Sequence, residues 1–204
     1  MIIDVAPRRV VVAVLAPPVW VPPSIDPSRW RLALAEDVLD VLAGIVEAEP
    51  AIAAVDAATL DVGWPGLRRY SVPSLDIVSL YAAVATDGFD QAVLLAGDAP
   101  DLPGMLIAKL LRPLTTRPLA AAPAHSPPGL LGLASRLPTP SWLPAAGLDQ
   151  ITPQSLRRLA PEATDVAPAP GWHRLRGPDD LARLDPGLEG WDATRAVLHH
   201  GAEL

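Results

Sequence analysis

The chain has 204 residues, enough for one domain with a full core. Half of it is hydrophobic but only 4% is aromatic, so Ala, Val, Leu and Ile must build that core. A formal charge of −7 gives no basic footprint for DNA or RNA, and the absence of cysteine excludes disulfides, thiol nucleophiles and thiolate metal sites.

Residues 10–15 read as a first buried strand, too short and too poorly flanked for a secretory signal. No stretch is long enough to span a membrane, and the cytoplasm is the expected location. Residues 16–25 form a loop with four prolines, Pro17, Pro18, Pro22 and Pro23. Asp26 and Pro27 then carry the signature of a helix start. Leu34, Val38, Leu42 and Ile45 continue that helix at helical spacing to about Ala48, with Pro50 closing it.

Residues 51–55 are a second strand and 67–72 a short third one, after a turn at Gly63-Trp64-Pro65-Gly66. Residues 74–86 carry a helical stripe. Residues 91–96 read as a buried strand, apolar from Ala92 to Ala96 as suits a parallel strand covered on both faces, and they run into Gly97 and Asp98. Pro103 is placed to open the next helix, through Leu110 and Leu111. Residues 119–123 are a further strand, and 129–134 are expected to pair beside it. Thr152-Pro153 opens a helix to Leu159, residues 165–169 make a late strand, and 178–184 and 191–198 are short helices. Strands alternating with helices predict one α/β domain over residues 1–204, with a mainly parallel sheet and helices on both faces.

Asp98 is the residue on which function turns. It projects a carboxylate from the carboxyl end of a central strand, where open α/β sheets place their ligand crevice. A carboxylate there suits a divalent cation held against a nucleotide diphosphate. The competing role for Asp98 or Asp101 is to cap the helix at Pro103. Arg174 and Arg176 are either bidentate phosphate donors or part of a solvated loop. His125 beside Ser126 lacks the surroundings of a hydrolase nucleophile, and His199-His200 is expected in a frayed tail. Trp20, Trp30 and Trp64 could line a base or sugar pocket; for at least two of them, packing in the core or in a homo-oligomer is expected.

Gly97-Asp98, Pro100-Asp101-Leu102 and the helices on either side resemble a small bacterial group of GT-A, or nucleotide-diphospho-sugar transferase, proteins. Its relatives include the guanylyltransferases of deazaflavin cofactor synthesis and the molybdenum-cofactor nucleotidyltransferases. Gly129 to Ala134 is similar to the group's Gly-Gly-Tyr-x-Leu-Ile-Gly-Leu segment, and Pro178-Asp179-Asp180-Leu181 to its closing Thr-Pro-Glu-Asp-Leu. The resemblance implies a Rossmann-like GT-A fold, a nucleotide or sugar nucleotide as partner, and Mg²⁺ or Mn²⁺ as cofactor. It implies nucleotidyl or glycosyl transfer, with Asp98 as metal ligand and catalytic residue and Gly97 and Gly129 against the nucleotide.

Two stretches depart from the group's pattern. Residues 16–24 have neither the basic residue nor the glycines that cradle phosphates, and prolines lack the N–H groups for that purpose. Arg29 or Arg31 is the expected substitute. Where the group carries Asp-Val-Asp, this chain has His173-Arg174-Leu175-Arg176, so His173 is the expected replacement for the second metal ligand. The alternative function is a relative that keeps the fold and binds a ligand or partner without turnover.

Overall fold

The structure is a computed structural model that describes residues 6–125, 129–184, 187 and 190–201. Its centre is a sheet of seven strands in the order β3-β2-β1-β4-β6-β5-β7. In chain order the strands are β1 (Arg9–Val14), β2 (Glu49–Ala54), β3 (Arg68–Ser71), β4 (Gln91–Ala96), β5 (Leu119–Pro123), β6 (Leu130–Arg136) and β7 (Val166–Pro168). β3, β2, β1 and β4 run parallel, as do β5 and β7, while β6 lies antiparallel to β4 and β5. The helices are α1 (Pro27–Ala43), α2 (Ile77–Ala85), α3 (Met105–Leu111), α4 (Pro153–Leu159), α5 (Pro178–Leu181) and α6 (Asp192–Gly201). The expected α/β class and mainly parallel sheet are observed.

The central strands are buried on both faces, and their alternation sorts the core into two layers. Val11, Ala13, Val93 and Leu95 face one way, towards Val38, Leu42, Ile107 and Leu110 of α1 and α3. Val10, Val12, Ala92 and Leu94 face the other way, towards Leu80, Tyr81 and Val84 of α2 and Leu156 of α4. Small residues on β2, β4 and β5 keep these layers thin. Gly132 in β6 does the same, since a Cβ there would come 3.0 Å from Leu110 Cδ1 and 3.2 Å from the Leu94 carbonyl oxygen.

Local signals set most helix boundaries. Asp26 accepts the Arg29 N–H at 2.9 Å as the α1 cap, with Pro27 in the first turn. Asp76 caps α2 in the same way, and Thr152 with Ser155 forms a reciprocal capping box on α4. α1 ends at Gly44, short of the expected Ala48. Pro50 does not close a helix: it is the second residue of β2, where β3 has not yet begun to pair. Its missing N–H therefore leaves no gap in the β3 ladder.

A third, smaller core joins the first loop and α1 to residues 175–198. Trp30, Leu34, Leu175, Leu184, Trp191 and Val197 pack together, with Trp20 partly buried against them. Trp20 meets Trp30 edge-on at 6.3 Å. Buried Asp37 of α1 accepts the Ala193 and Thr194 N–H groups at 2.9 and 2.8 Å, so one helix caps another. Desolvation raises the Asp37 carboxyl above its ordinary value, although hydrogen bonds from Thr194 and Ala193 oppose the shift.

Candidate functional site

β1 and β4 pair in register and end side by side at Val14 and Ala96. Gly97 then makes the closest backbone approach in this region. Its N–H reaches the Val14 carbonyl at 3.1 Å, and a Cβ would sit 2.9 Å from that oxygen and 2.8 Å from Leu15 Cδ2. Only glycine fits such an approach without a shift. Gly97 is thus a packing residue that sets the position of Asp98.

A cleft of about 380 Å³ opens at these strand ends. Val14 and Ala16 form one wall, Ser74 and Asp76 a second, and Gly147, Asp149 and Gln150 a third, with Arg174 beside Ala96 at its base. Gly129 supports the third wall from behind. It takes φ +141°, and a Cβ would lie 3.2 Å from both Asp149 Cα and the Leu148 carbonyl oxygen. Leu130 N–H bonds to that carbonyl at 2.8 Å.

Charges at the cleft are paired. Arg174 is buried, yet its Nε and Nη2 donate to Asp98 Oδ1 and Oδ2 at 2.5 and 2.9 Å. Its Nη1 donates to Asp149 Oδ1 at 2.5 Å and to the Leu130 carbonyl at 3.0 Å. Arg176 Nη2 lies 2.9 Å from Asp149 Oδ2, which extends the pairing into a ladder of two carboxylates and two guanidinium groups. Burial works against the Arg174 charge, but Asp98 and Asp149 outweigh it and push its pKa further up. The Asp98 carbonyl accepts the Leu175 N–H at 2.8 Å, pinning the two segments together. Asp76 accepts from the Ser79 N–H and hydroxyl at 2.9 and 2.6 Å. Burial opposes its charge, but these Ser79 bonds hold its carboxyl below the ordinary range.

The expected site residues therefore separate. Asp98 lies at the sheet edge, with both carboxylate oxygens engaged by Arg174. Neither it nor Asp101 caps α3, whose cap position is Gly104 with no side-chain bond. His173 turns away from Asp98 towards the buried Asp101, with Nε2 2.9 Å from Oδ2, although neither atom has a well-aligned hydrogen bond. Its ring stacks on Trp172 at 5.0 Å, and Trp172 Nε1 donates to the other Asp101 oxygen at 3.1 Å. Arg31 is spent on structure: Nη1 pairs with Asp56 at 3.0 Å and Nη2 donates to the Leu15 carbonyl. The Arg29 side chain is exposed in a groove between α1 and α6, lined also by Glu36 and Ala196.

These placements test whether a divalent metal fits. Among the described residues no group of three or more His, Asp or Glu could hold a metal ion. Asp98, just behind the cleft, and Asp149, in its wall, are both paired with Arg174, Asp76 is bonded to Ser79, and His173 does not join them. The donor set as folded does not fit Mg²⁺ or Mn²⁺.

Sequence reasoning missed the loop carrying Gly147, Asp149 and Gln150, as well as Ser74 and Asp76 at the mouth. The sequence leaves Arg174 two alternatives, a phosphate donor or a solvated loop; its burial rules out the solvated loop. Trp30 is fully buried and Trp64 packs on the first core layer, so packing accounts for both. His125 lies 6.4 Å from the Trp172 ring, while Ser126 is outside the described residues. His199 and His200 belong to α6, with His200 Nδ1 2.7 Å from the Ala196 carbonyl oxygen. No helix among the described residues is long and apolar enough to cross a membrane.

No protein-family profile matches the chain, and no curated protein sequence matches it. Solved structures do match. One, from Desulfovibrio desulfuricans G20 and described as a nucleotide-diphospho-sugar transferase, is 21% identical with a TM-score of 0.64, over 96% of this chain and 94% of its own. A CMP:2-keto-3-deoxy-manno-octonic acid synthetase complexed with CTP is 14% identical with a TM-score of 0.57, over 97% of this chain and all of its own. A glucosyl-3-phosphoglycerate synthase from Mycobacterium tuberculosis, in complex with Mn²⁺, UDP and phosphoglyceric acid, is 15% identical with a TM-score of 0.54, over 97% of this chain and 79% of its own. The chain therefore has the fold of the nucleotide-diphospho-sugar transferases.

Proposed function

We propose that this protein binds a nucleotide or sugar nucleotide in the cleft at the ends of β1 and β4, as a transferase-like protein of the nucleotidyl or glycosyl type. The observation that carries this is the cleft itself. It lies at the carboxyl edge of a parallel sheet, the usual ligand position in such folds, and has a fixed guanidinium at its base. Its volume falls within the range of small-molecule sites. The solved structures of the same fold hold CTP in one case and UDP in another.

Those structures also bring the expectation of a divalent cation, since Mn²⁺ accompanies UDP in one of them. Asp98 and Asp149 are the carboxylates that would hold it, and both are bonded to Arg174. The residues that act on a ligand are those of the walls: Ser74, Gln150 and the backbone around Gly147 orient polar groups, and Arg174 offsets negative charge.

A second reading, binding without turnover, is favoured by the same ion pairs. A carboxylate held on both oxygens by an arginine has fewer lone pairs left for a metal or a ligand. The first loop adds to this, because Trp20 draws it into the third core and its prolines offer few N–H donors.

A thermal-shift panel of nucleoside diphosphates, nucleoside triphosphates and sugar nucleotides tests the binding claim. Ala145 is exposed on the cleft rim, so Ala145→Trp fills the cleft without entering the core. A ligand that raises the melting temperature of the wild type but not of Ala145→Trp supports the site. Equal shifts in both proteins would place binding elsewhere. Product release from the bound donor then separates transferase from binder.

A further inference from the structure

Arg174 sits in a cage made only of oxygen. Two oxygens come from Asp98, one from Asp149 and one from the Leu130 carbonyl. Two carboxylates and a backbone carbonyl are a donor set that a hard divalent cation seeks. Here the cage is filled by a side chain with only 4% of its surface exposed. Arginine is always charged, and its planar fork matches a carboxylate on two bonds at once.

We propose that Arg174 is the resident cation of this cleft: its guanidinium occupies the place of a divalent metal, and ligands are held there without one. The first half stands on the cage alone; the second half rests on the nucleotide-binding reading above.

The reasoning runs through charge and burial. For a metal to enter, it must take Asp98 or Asp149 from Arg174, leaving a buried guanidinium without its partners. Leaving a buried charge without its partner is strongly disfavoured. The ladder Asp98, Arg174, Asp149 and Arg176 also sums to zero, so it attracts neither a free cation nor a highly charged anion. A ligand of low charge, such as a sugar nucleotide, suits a neutral ladder better than a free triphosphate. Four of the five Arg174 donors are engaged by Asp98, Asp149 and the Leu130 carbonyl, so one is left, enough for a single phosphate oxygen.

The full chain is titrated with Mn²⁺ and the free ion followed by electron paramagnetic resonance, for wild type, Arg174→Met and the double variant Asp98→Asn/Arg174→Met. Wild type is expected to bind no Mn²⁺ at a defined site. Removing the guanidinium frees the carboxylates, so Arg174→Met should gain affinity by about tenfold or more, and the double variant should lose most of that gain. Stoichiometric Mn²⁺ binding by the wild type would overturn the proposal. So would a folded Arg174→Met that gains nothing. If circular dichroism shows Arg174→Met unfolded, the wild-type titration decides, with Arg174→Lys as a cation-retaining variant expected to stay metal-free.

A second arm measures melting shifts of the wild type with UDP-glucose, UDP and CTP, in EDTA and in Mn²⁺. Equal shifts in both conditions, largest for UDP-glucose, are the expected result. A shift that needs Mn²⁺ would overturn the metal-free claim. No shift with any probe would instead sink the nucleotide-binding reading, while the Mn²⁺ titration still decides the resident cation.

Discussion

Asp98→Asn removes the charge that holds Arg174 by two bonds, and its cost follows from the geometry. With carboxylate and guanidinium centres about 4 Å apart, an effective dielectric of about 20 gives an attraction of about 4 kcal/mol. Breaking a buried pair by removing one partner typically costs about 3–5 kcal/mol, because the other charge stays buried. Asp98 keeps 17% side-chain exposure, and Arg174 retains Asp149 and the Leu130 carbonyl, so the lower end applies. We expect a loss of about 3 kcal/mol, or about 6 to 12 °C in melting temperature for a chain of this length. Arg174→Met should cost at least as much, since it takes both bonds from Asp98 and one of the two cations paired with Asp149. The double variant removes both charges and should be less destabilised than the two losses added together, with a coupling of about 1–3 kcal/mol. Urea unfolding of the four proteins measures the cycle. Single losses that add to within about 0.5 kcal/mol would show that the pair is not energetically coupled, and the account of the site would fail.

Gly97→Ala places a Cβ 2.9 Å from the Val14 carbonyl oxygen and should lower stability by about 1–3 kcal/mol, seen as a lower urea midpoint. Trp30→Ala empties a fully buried position where the first loop, α1 and α6 meet, and should cost about 3–5 kcal/mol in the same assay. Asp56 has its carboxyl lowered from 3.8 to about 2 by the Thr59 hydroxyl and N–H, with a smaller part from Arg31. A depressed folded pKa gives stability that is present above the unfolded value and lost as pH falls through the folded one. The difference in urea midpoint between wild type and Asp56→Asn should therefore close as pH falls from about 4 to about 2; a difference constant across that window would refute the assignment.

Much of the fold was legible from short-range patterns. The unbroken apolar runs at residues 10–15 and 92–96 are short enough to suit strands covered on both faces, and the caps at Asp26, Asp76 and Thr152 are local chemistry within one turn. Asp98 was found because a carboxylate after Gly97 at such a strand end stands out in sequence. Its partner was not, since Arg174 is 76 residues away and nothing local records which charges will meet. Strand pairing decided that. Inserting β6 antiparallel between β4 and β5 brings Leu130 beside the end of β4, and the segment 173–176 is drawn in by the Leu175 N–H bond to Asp98. The same long-range packing turned His173 to Asp101 and Arg31 to Leu15. The sequence determined by itself that a parallel sheet would end on an aspartate. Only the tertiary structure decided that the cation facing this aspartate is an arginine, because a side chain's partner depends on the three-dimensional meeting of distant segments and on the cost of leaving a buried charge alone.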